Sequence, residues 1–356
     1  MWGTMNKRIE EALASLCATH TLPEEEYLYL LQHNDEESRA LAAEYARTVR
    51  ERFYGKDVYI RGLIEISNYC KNDCLYCGIR RSNKDCFRYR LTQEEILECC
   101  EIGYPLGFRT FVLQGGEDAY YTDERLEVLV REIKKRFPEC AVTLSLGERS
   151  RGSYERLYAA GADRYLLRHE TATKTHYEKL HPAEMSHENR LRCLNDLKEI
   201  GYQTGCGFMV GSPYQTKEHL AKELKFIEAF RPQMCGIGPF ISHHATPFSA
   251  FENGSYEDTL YLLSLIRLIH PTVLLPATTA LGTIRPDGRE AGILAGANVV
   301  MPNLSPQNVR HNYEIYDNKI NTGAEAADGL ADLKVRMEKI GYCVVEKRGD
   351  ICTGEL

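Results

Sequence analysis

Cys70, Cys74 and Cys77 form a C-x3-C-x2-C run, with an aromatic residue, Tyr76, directly before the last cysteine. A thiolate binds iron strongly, and three on one short loop can hold three corners of a 4Fe–4S cube. The fourth iron then has no protein ligand nearby and is open to bind and activate another molecule, whereas an electron-carrying cluster usually takes four cysteines. Structural zinc is the competing chemistry. It wants four N or S ligands, commonly as two separated pairs, and no second C-x2-C occurs in the chain. A disulfide would need an oxidising compartment, and nothing marks the chain as secreted.

The elements that must position this loop are those of an ordinary globular protein. The chain has 356 residues, 43% hydrophobic and 27% charged, with a net charge of −7. Such composition supplies a large core. Length alone suggests two domains, although an α/β barrel of this size can be one. No long basic block appears, so nucleic-acid binding has no electrostatic support. The N-terminus lacks an apolar signal core and no apolar run approaches a membrane span, so a cytoplasmic location is expected. The other cysteines fall mostly in apolar stretches and read as small buried hydrophobes in a reducing compartment.

Residues 5–54 read as helices. Starts are expected at Thr21–Glu24 and Asn34–Glu37, and Leu41, Tyr45, Val49 and Phe53 form one apolar stripe. From Val58 the pattern changes. Strands are expected near 58–66, 110–113, 141–146, 164–168, 203–210, 234–238, 273–279 and 297–302, alternating with helices. Eight such units predict a (β/α)8 TIM-type barrel with an N-terminal helical extension. The division is 1–55 for the extension, 56–310 for the barrel and 311–356 for a C-terminal segment packed on it. A doubly wound sheet is the alternative, but it would usually carry a nucleotide fingerprint after its first strand, where this chain has cysteines.

In a barrel, functional groups sit where strands end. Gln114-Gly115-Gly116-Glu117 follows the second strand, and adjacent glycines allow a close backbone approach. The third strand offers Thr143 and Ser145. Alternation puts Arg164, Arg168 and Glu170 on the inner side of the fourth. Buried charges cost several kcal/mol unless paired or ligand-bound, so a structural ion pair and a ligand site both stand open here. Arg168 could fork onto a carboxylate, and Glu170 could accept from hydroxyls or an ammonium. Arg190, near a helix start, is a second carboxylate candidate. Met209 lies on the fifth strand, and Thr278 and Thr279 end the seventh. His243 and His244, being adjacent, are expected to point apart rather than share a metal. Tyr313 and Tyr316 are placed to lean over the barrel mouth.

The cysteine spacing with its aromatic residue resembles the signature of the radical S-adenosylmethionine (SAM) superfamily. In that superfamily SAM chelates the open iron, and one electron cleaves its sulfonium to a 5′-deoxyadenosyl radical. Segments from Val58 to Tyr316 are similar to the HydE family of FeFe-hydrogenase maturases: Ile64–Asn68, Tyr165–Thr171, Gly236–Phe240, Pro276–Thr283 and Val300–Asn303. The resemblance implies a barrel with cluster and SAM at the top of a large internal cavity. It implies that Cys70, Cys74 and Cys77 bind the cluster, and that Gln114, Gly115, Gly116, Glu117, Glu170 and Arg190 hold SAM, with Tyr76, Ser145 and Met209 alongside. It places Thr143, Arg168, Thr278 and Thr279 around a deeper anion pocket, with Tyr313 nearby. The implied substrate is a cysteine-derived organometallic iron species in the assembly of the hydrogenase diiron site. A low-potential electron donor and other hydrogenase maturases are the expected partners, and the chain is expected to be a monomer. Some relatives carry three further cysteines near the C-terminus. Residues 319–332 have none, so one 4Fe–4S cluster is expected. Methylornithine synthase and biotin synthase, which share the signature, are the alternatives.

Overall fold

Three helices, Lys7–Thr19, Glu24–Gln32 and Glu36–Tyr54, open a computed structural model that describes residues 6–320 and 327–353. Their starts differ slightly from expectation. Pro23 precedes the second helix, because the Thr21 hydroxyl is spent on Glu228 at 2.8 Å. Asp35 caps the third in a reciprocal box with Ser38. Of the expected stripe only Val49 is buried. The inward face runs one residue further along, through Ala42, Ala46, Arg50 and Tyr54. Arg50 is fully buried and donates to the carbonyls of Gly55, Asp57 and Ala297. The Tyr27 hydroxyl donates to Glu228 at 2.8 Å. The leader is therefore fastened to the main body by buried polar bonds as well as by apolar packing.

Eleven strands follow among the described residues: β1 (Asp57–Ile60), β2 (Gly62–Ser67), β3 (Thr110–Gly115), β4 (Ala141–Ser145), β5 (Arg164–Leu166), β6 (Gln203–Cys206), β7 (Met209–Val210), β8 (Met234–Cys235), β9 (Gly238–Pro239), β10 (Val299–Val300) and β11 (Cys343–Val345). Their ladders are parallel, in the orders β2-β3-β4-β5-β6-β8, β10-β1-β11 and β7-β9. Parallel strands need crossovers, and helices supply them. β2 is buried along its whole length, as expected of a sheet covered on both faces. No described helix is long and apolar enough to cross a membrane.

Several expected strands are broken. The 203–210 strand divides at Gly207 (φ 154°), where a Cβ would lie 2.0 Å from the Gly236 carbonyl oxygen. That contact also splits 234–238 into β8 and β9. The 273–279 stretch makes only single bridges, Leu274 to Met234 and Pro276 to Val299, and Thr279 already begins the helix Thr279–Ile284. The C-terminal segment joins the body through β11, which pairs with β1. Arg164, fully buried, donates to Asp350 at 2.6 Å and to the carbonyls of Arg348 and Gly349. It is a structural ion pair that ties the start of β5 to the C-terminal segment.

All thirteen cysteines are free thiols. Cys99, Cys100, Cys140, Cys193, Cys206 and Cys235 are buried as expected, whereas Cys343 is exposed.

Candidate functional site

The cysteine loop leaves β2 at Ser67 and is held from three sides. The Lys71 amide donates to the Glu117 carbonyl, the Leu75 amide to Leu180, and the Gly78 amide to Ile315. A Cβ on Gly78 would lie 2.2 Å from the Glu314 carbonyl oxygen, so only glycine lets the chain pass there. Cys70, Cys74 and Cys77 are half-buried. Burial pushes all three thiols up, Cys77 to about 12; Cys74 is raised further by Cys77 and Cys70, and Cys77 by Cys70. Clustered thiols that resist ionisation alone, with no disulfide among them, suit a metal that supplies the compensating charge and displaces the protons. On this observation the donor set fits a 4Fe–4S cluster.

Tyr76 is anchored above the loop. His181 donates Nδ1–H to the Tyr177 carbonyl, so its Nε2 accepts from the Tyr76 hydroxyl at 3.1 Å. Burial pushes His181 down to about 3 and keeps it neutral. Tyr76 and Leu75 pack on a small apolar cluster of Leu180, Met209, Phe240 and Phe248. The structure thus brings Tyr76 and Met209 together.

The Gln114–Glu117 turn presses on the same loop. The Gly116 amide donates to the Ser67 carbonyl at 3.0 Å. A Cβ there would lie 2.2 Å from the Tyr69 carbonyl oxygen and 2.8 Å from the Cys70 Cβ. Gln114 hydrogen-bonds Tyr313, whose hydroxyl is pushed up by burial and by Glu65 and Cys77. Tyr313 is thus within electrostatic reach of the cysteines. The Glu117 carboxylate pairs with Lys71 at 3.0 Å and accepts from the Glu148 amide at 3.0 Å. Ser145 lies level with Gln114 on the neighbouring strand.

Past β5 the chain turns sharply. Glu170 is buried and left-handed (φ 65°), a conformation that strains a residue with a Cβ and is stored where surrounding contacts enforce it. Arg168 Nη2 stands 3.2 Å from Glu170 Oε2, the structural pairing that the sequence left open. Yet that oxygen, and Arg168 Nε and Nη2, make no hydrogen bond among the described residues although buried. Buried polar atoms without hydrogen bonds are costly and mark a surface shaped for something else. Arg190 is buried, donating to Glu148 at 2.6 Å and to the Arg168 carbonyl at 2.5 Å. It also lies within electrostatic reach of Cys74.

Two fully buried residues that sequence reasoning did not select enforce this turn. His169 accepts at Nδ1 from the Gly207 amide, so its Nε2–H donates to Glu223 at 2.7 Å. The other Glu223 oxygen accepts from the Ala172 amide at 2.6 Å. Glu223, on the helix Lys217–Phe230, thus grips the turn on both sides of Glu170. Glu223→Ala is expected to free the turn and weaken SAM binding about tenfold, in keeping with about 1–3 kcal/mol for a lost buried hydrogen-bond partner. Iron content should stay unchanged and Glu223→Gln should recover part of the affinity. Equilibrium SAM binding to the cluster-loaded variants checks this, and wild-type affinity in both would exclude the grip as a positioning device. A second missed group is Glu65, fully buried, whose carboxylate pairs with Lys319 at 2.5 Å and accepts from Asn303 at 2.8 Å.

The deeper residues are less gathered than the resemblance implies. Thr143 lines a cavity of about 20 Å³ with Arg61, Met234 and Gly236, room for roughly one water. Thr143 Oγ1, Arg61 Nε and Arg61 Nη2 make no hydrogen bond among the described residues. Thr143 lies level with Arg164, and no hydrogen bond or ion pair joins it to Arg168 among the described residues. Thr278 caps the helix Thr279–Ile284 without a side-chain bond, and its Oγ1 also lacks a partner among the described residues. Thr279 Oγ1 accepts from Arg289 at 3.4 Å.

The histidines are structural. His243 and His244 do not point apart. Their segment is not a strand, so alternation does not apply; the rings stack at 4.4 Å and both face Asp317. These three could surround an ion, but His243 Nδ1 accepts from the Ala245 amide, which puts the proton on Nε2. His176, His181 and His187 have zinc-like spacing, yet their ring nitrogens form no converging group among the described residues.

Residues 64–227 match the sequence model described as the Radical SAM superfamily, which sets the class: a radical SAM enzyme, with a 4Fe–4S cluster and SAM as cofactors. The [FeFe] hydrogenase maturase subunit HydE of Thermotoga maritima is 48% identical over 290 residues, 82% of each chain. A 3-methylornithine synthase of Methanosarcina acetivorans is 31% identical over 78% of this chain and 79% of its own. The solved structure of methylornithine synthase (PylB) matches with TM-score 0.82 at 26% identity, covering 94% of this chain and 97% of that one. The maturase HydG matches in fold, with TM-score 0.79 at 22% identity, over 95% and 76%. The chain belongs to the HydE family.

Proposed function

We propose that this chain is a radical SAM maturase acting in the assembly of the organometallic diiron site of FeFe-hydrogenase. The observation that carries the reading is the meeting of the three-cysteine loop with a buried turn whose Glu170 and Arg168 atoms lack hydrogen bonds. The 48% identity to a HydE points to which radical SAM chemistry this is. When bound, the cluster and SAM supply reductive cleavage of the sulfonium to a 5′-deoxyadenosyl radical.

The chain's own residues hold and orient. Cys70, Cys74 and Cys77 are the cluster ligands. Gln114, Gly115, Gly116 and Glu117 bring backbone up to SAM, and Glu170 and Arg190 take its polar groups. Tyr76 and Met209 form the apolar wall, with Ser145 at the strand edge. Arg168, Thr278 and Thr279 face a carboxylate-bearing, cysteine-derived substrate, while Thr143 serves a lower level of the same interior. The three sheets are read as one closed (β/α)8 barrel with an N-terminal extension over 1–55, the barrel over 56–310 and a packed segment over 311–356. The single bridges Leu63–Asn303, Met234–Leu274 and Pro276–Val299 support that closure. Single-cluster content, a monomeric state, a cytoplasmic location and contact with other hydrogenase maturases belong to the same proposal.

The test is an anaerobically reconstituted enzyme given SAM and dithionite. 5′-Deoxyadenosine or its adducts are expected, together with restored hydrogenase activity in a maturation mixture lacking HydE. The likeness to methylornithine synthase favours a second reading. Lysine-dependent formation of 3-methylornithine, without support of hydrogenase maturation, would replace the first reading with that one.

A further inference from the structure

The chain is acidic, but the segment that carries and wraps the cysteines is not. Residues 71–90 hold six Lys/Arg against two Asp, a local +4 on a chain of −7, which leaves −11 for the rest. Part of this charge is neutralised, since Lys71, Arg80 and Arg90 pair with Glu117, Asp73 and Asp118. Arg88 spends its guanidinium on the carbonyls of Asn68, Ile79, Arg80 and Asn83, so its charge has no carboxylate partner there. Arg81 and Lys84 are exposed and form no ion pair among the described residues. Between them and Arg88 stands Phe87, 72% exposed, the most exposed large hydrophobic side chain described. Asp85, also exposed, lies between Lys84 and Phe87, and Glu314 is within electrostatic reach of Cys86, so the rim is net positive rather than free of acids. A net positive rim around an exposed aromatic ring is the composition of a protein-docking surface.

This surface is tied directly to the cysteine loop. The Arg81 amide donates to the Asn72 carbonyl, and the Asn83 side chain donates to the Gly78 carbonyl at 2.6 Å. Asn68 donates to the Phe87 carbonyl at 2.8 Å. Cys86, beside Phe87, lies within electrostatic reach of Cys77. The Glu170 and Arg168 atoms without hydrogen bonds are buried, whereas Arg81, Lys84 and Phe87 are exposed.

We propose that Phe87, Arg81 and Lys84 form the docking surface for an acidic one-electron carrier protein of the ferredoxin class. The inference rests on the radical SAM reading, which requires one electron to reach a group held by buried cysteines. The carrier loses one electron and the cluster gains it, with no proton or bond transferred. Charge complementarity selects an acidic partner, while the acidic remainder of the molecule repels such a partner elsewhere.

The experiment uses the cluster-loaded full chain and a purified acidic bacterial ferredoxin as probe. Two readouts are taken: equilibrium binding of oxidised ferredoxin, and the rate at which the reduced-cluster paramagnetic signal appears after mixing with reduced ferredoxin. The double variant Arg81→Glu/Lys84→Glu is expected to lose tenfold or more in both, and Phe87→Ala about tenfold in binding. Added salt should weaken wild-type binding and leave the charge-reversed variant little changed, because screening acts on exposed charges. Reduction by dithionite should be the same in all. The proposal is overturned if the charge-reversed protein binds ferredoxin and is reduced by it as the wild type is. It is equally overturned if these substitutions weaken binding of another maturase while ferredoxin binding is untouched. Failure of wild-type protein to cleave SAM with dithionite would instead refute the enzyme reading, and ferredoxin binding would still judge the surface.

Discussion

Cys74→Ala should lower iron after anaerobic reconstitution from about four atoms per chain to near none, and abolish SAM cleavage. Cys74 lies between the other two ligands in sequence, with its thiol beside Met185 at 3.7 Å. The loss is severe because, with one of three thiolates gone, two irons of the cube lack a protein ligand. Cys86 is the informative control. It is half-buried, close to Cys77 and one of the thirteen free thiols. If position and not mere proximity selects the ligands, Cys86→Ala should retain full iron and full SAM cleavage. Thermal melts of the metal-free proteins separate a ligand effect from a folding defect. A Cys74→Ala protein that keeps a complete cluster and cleaves SAM would refute the ligand assignment.

Arg168→Lys should keep the cluster and SAM cleavage while lowering hydrogenase maturation roughly ten- to a hundredfold. The magnitude follows from about 1.5–3 kcal/mol for a charge-assisted hydrogen bond. In the structure Arg168 Nη2 is 3.2 Å from Glu170 Oε2, so charge near Glu170 matters to the local balance. Lysine preserves that charge. It cannot present the planar fork, and the two Arg168 nitrogens without hydrogen bonds, Nε and Nη2, belong to that fork. SAM binding should therefore survive, and productive handling of a carboxylate-bearing substrate should not. Wild-type maturation by the lysine variant would reduce Arg168 to a structural partner of Glu170. Co-crystals with small carboxylates bound away from Arg168 and Thr279 would do the same.

Features legible in the sequence are local ones. Three metal-binding thiols lie within one short loop, so their spacing alone limits the geometry they can adopt. Thr92 and Glu95, three apart, form a reciprocal cap at the start of the helix Gln93–Gly103, because such a cap involves only neighbouring residues. Apolar runs between helices predicted parallel strands, and parallel strands are found. Gly116 was legible as a close approach, although its target, the Tyr69 carbonyl, was not.

What only the tertiary structure decided is where distant polar groups meet. Glu223 reaches His169 across 54 positions, and Lys319 reaches Glu65 across 254. Arg164 and Arg168 share a strand face by alternation, but Asp350 from the C-terminal segment claims the first and leaves the second beside Glu170. Alternation itself fails where Gly207 meets the Gly236 backbone and where His243 and His244 stack outside any strand. Local spacing identifies ligands because covalent geometry bounds short loops. Buried charges are assigned partners by the whole fold, because their energy depends on every element that removes water from them.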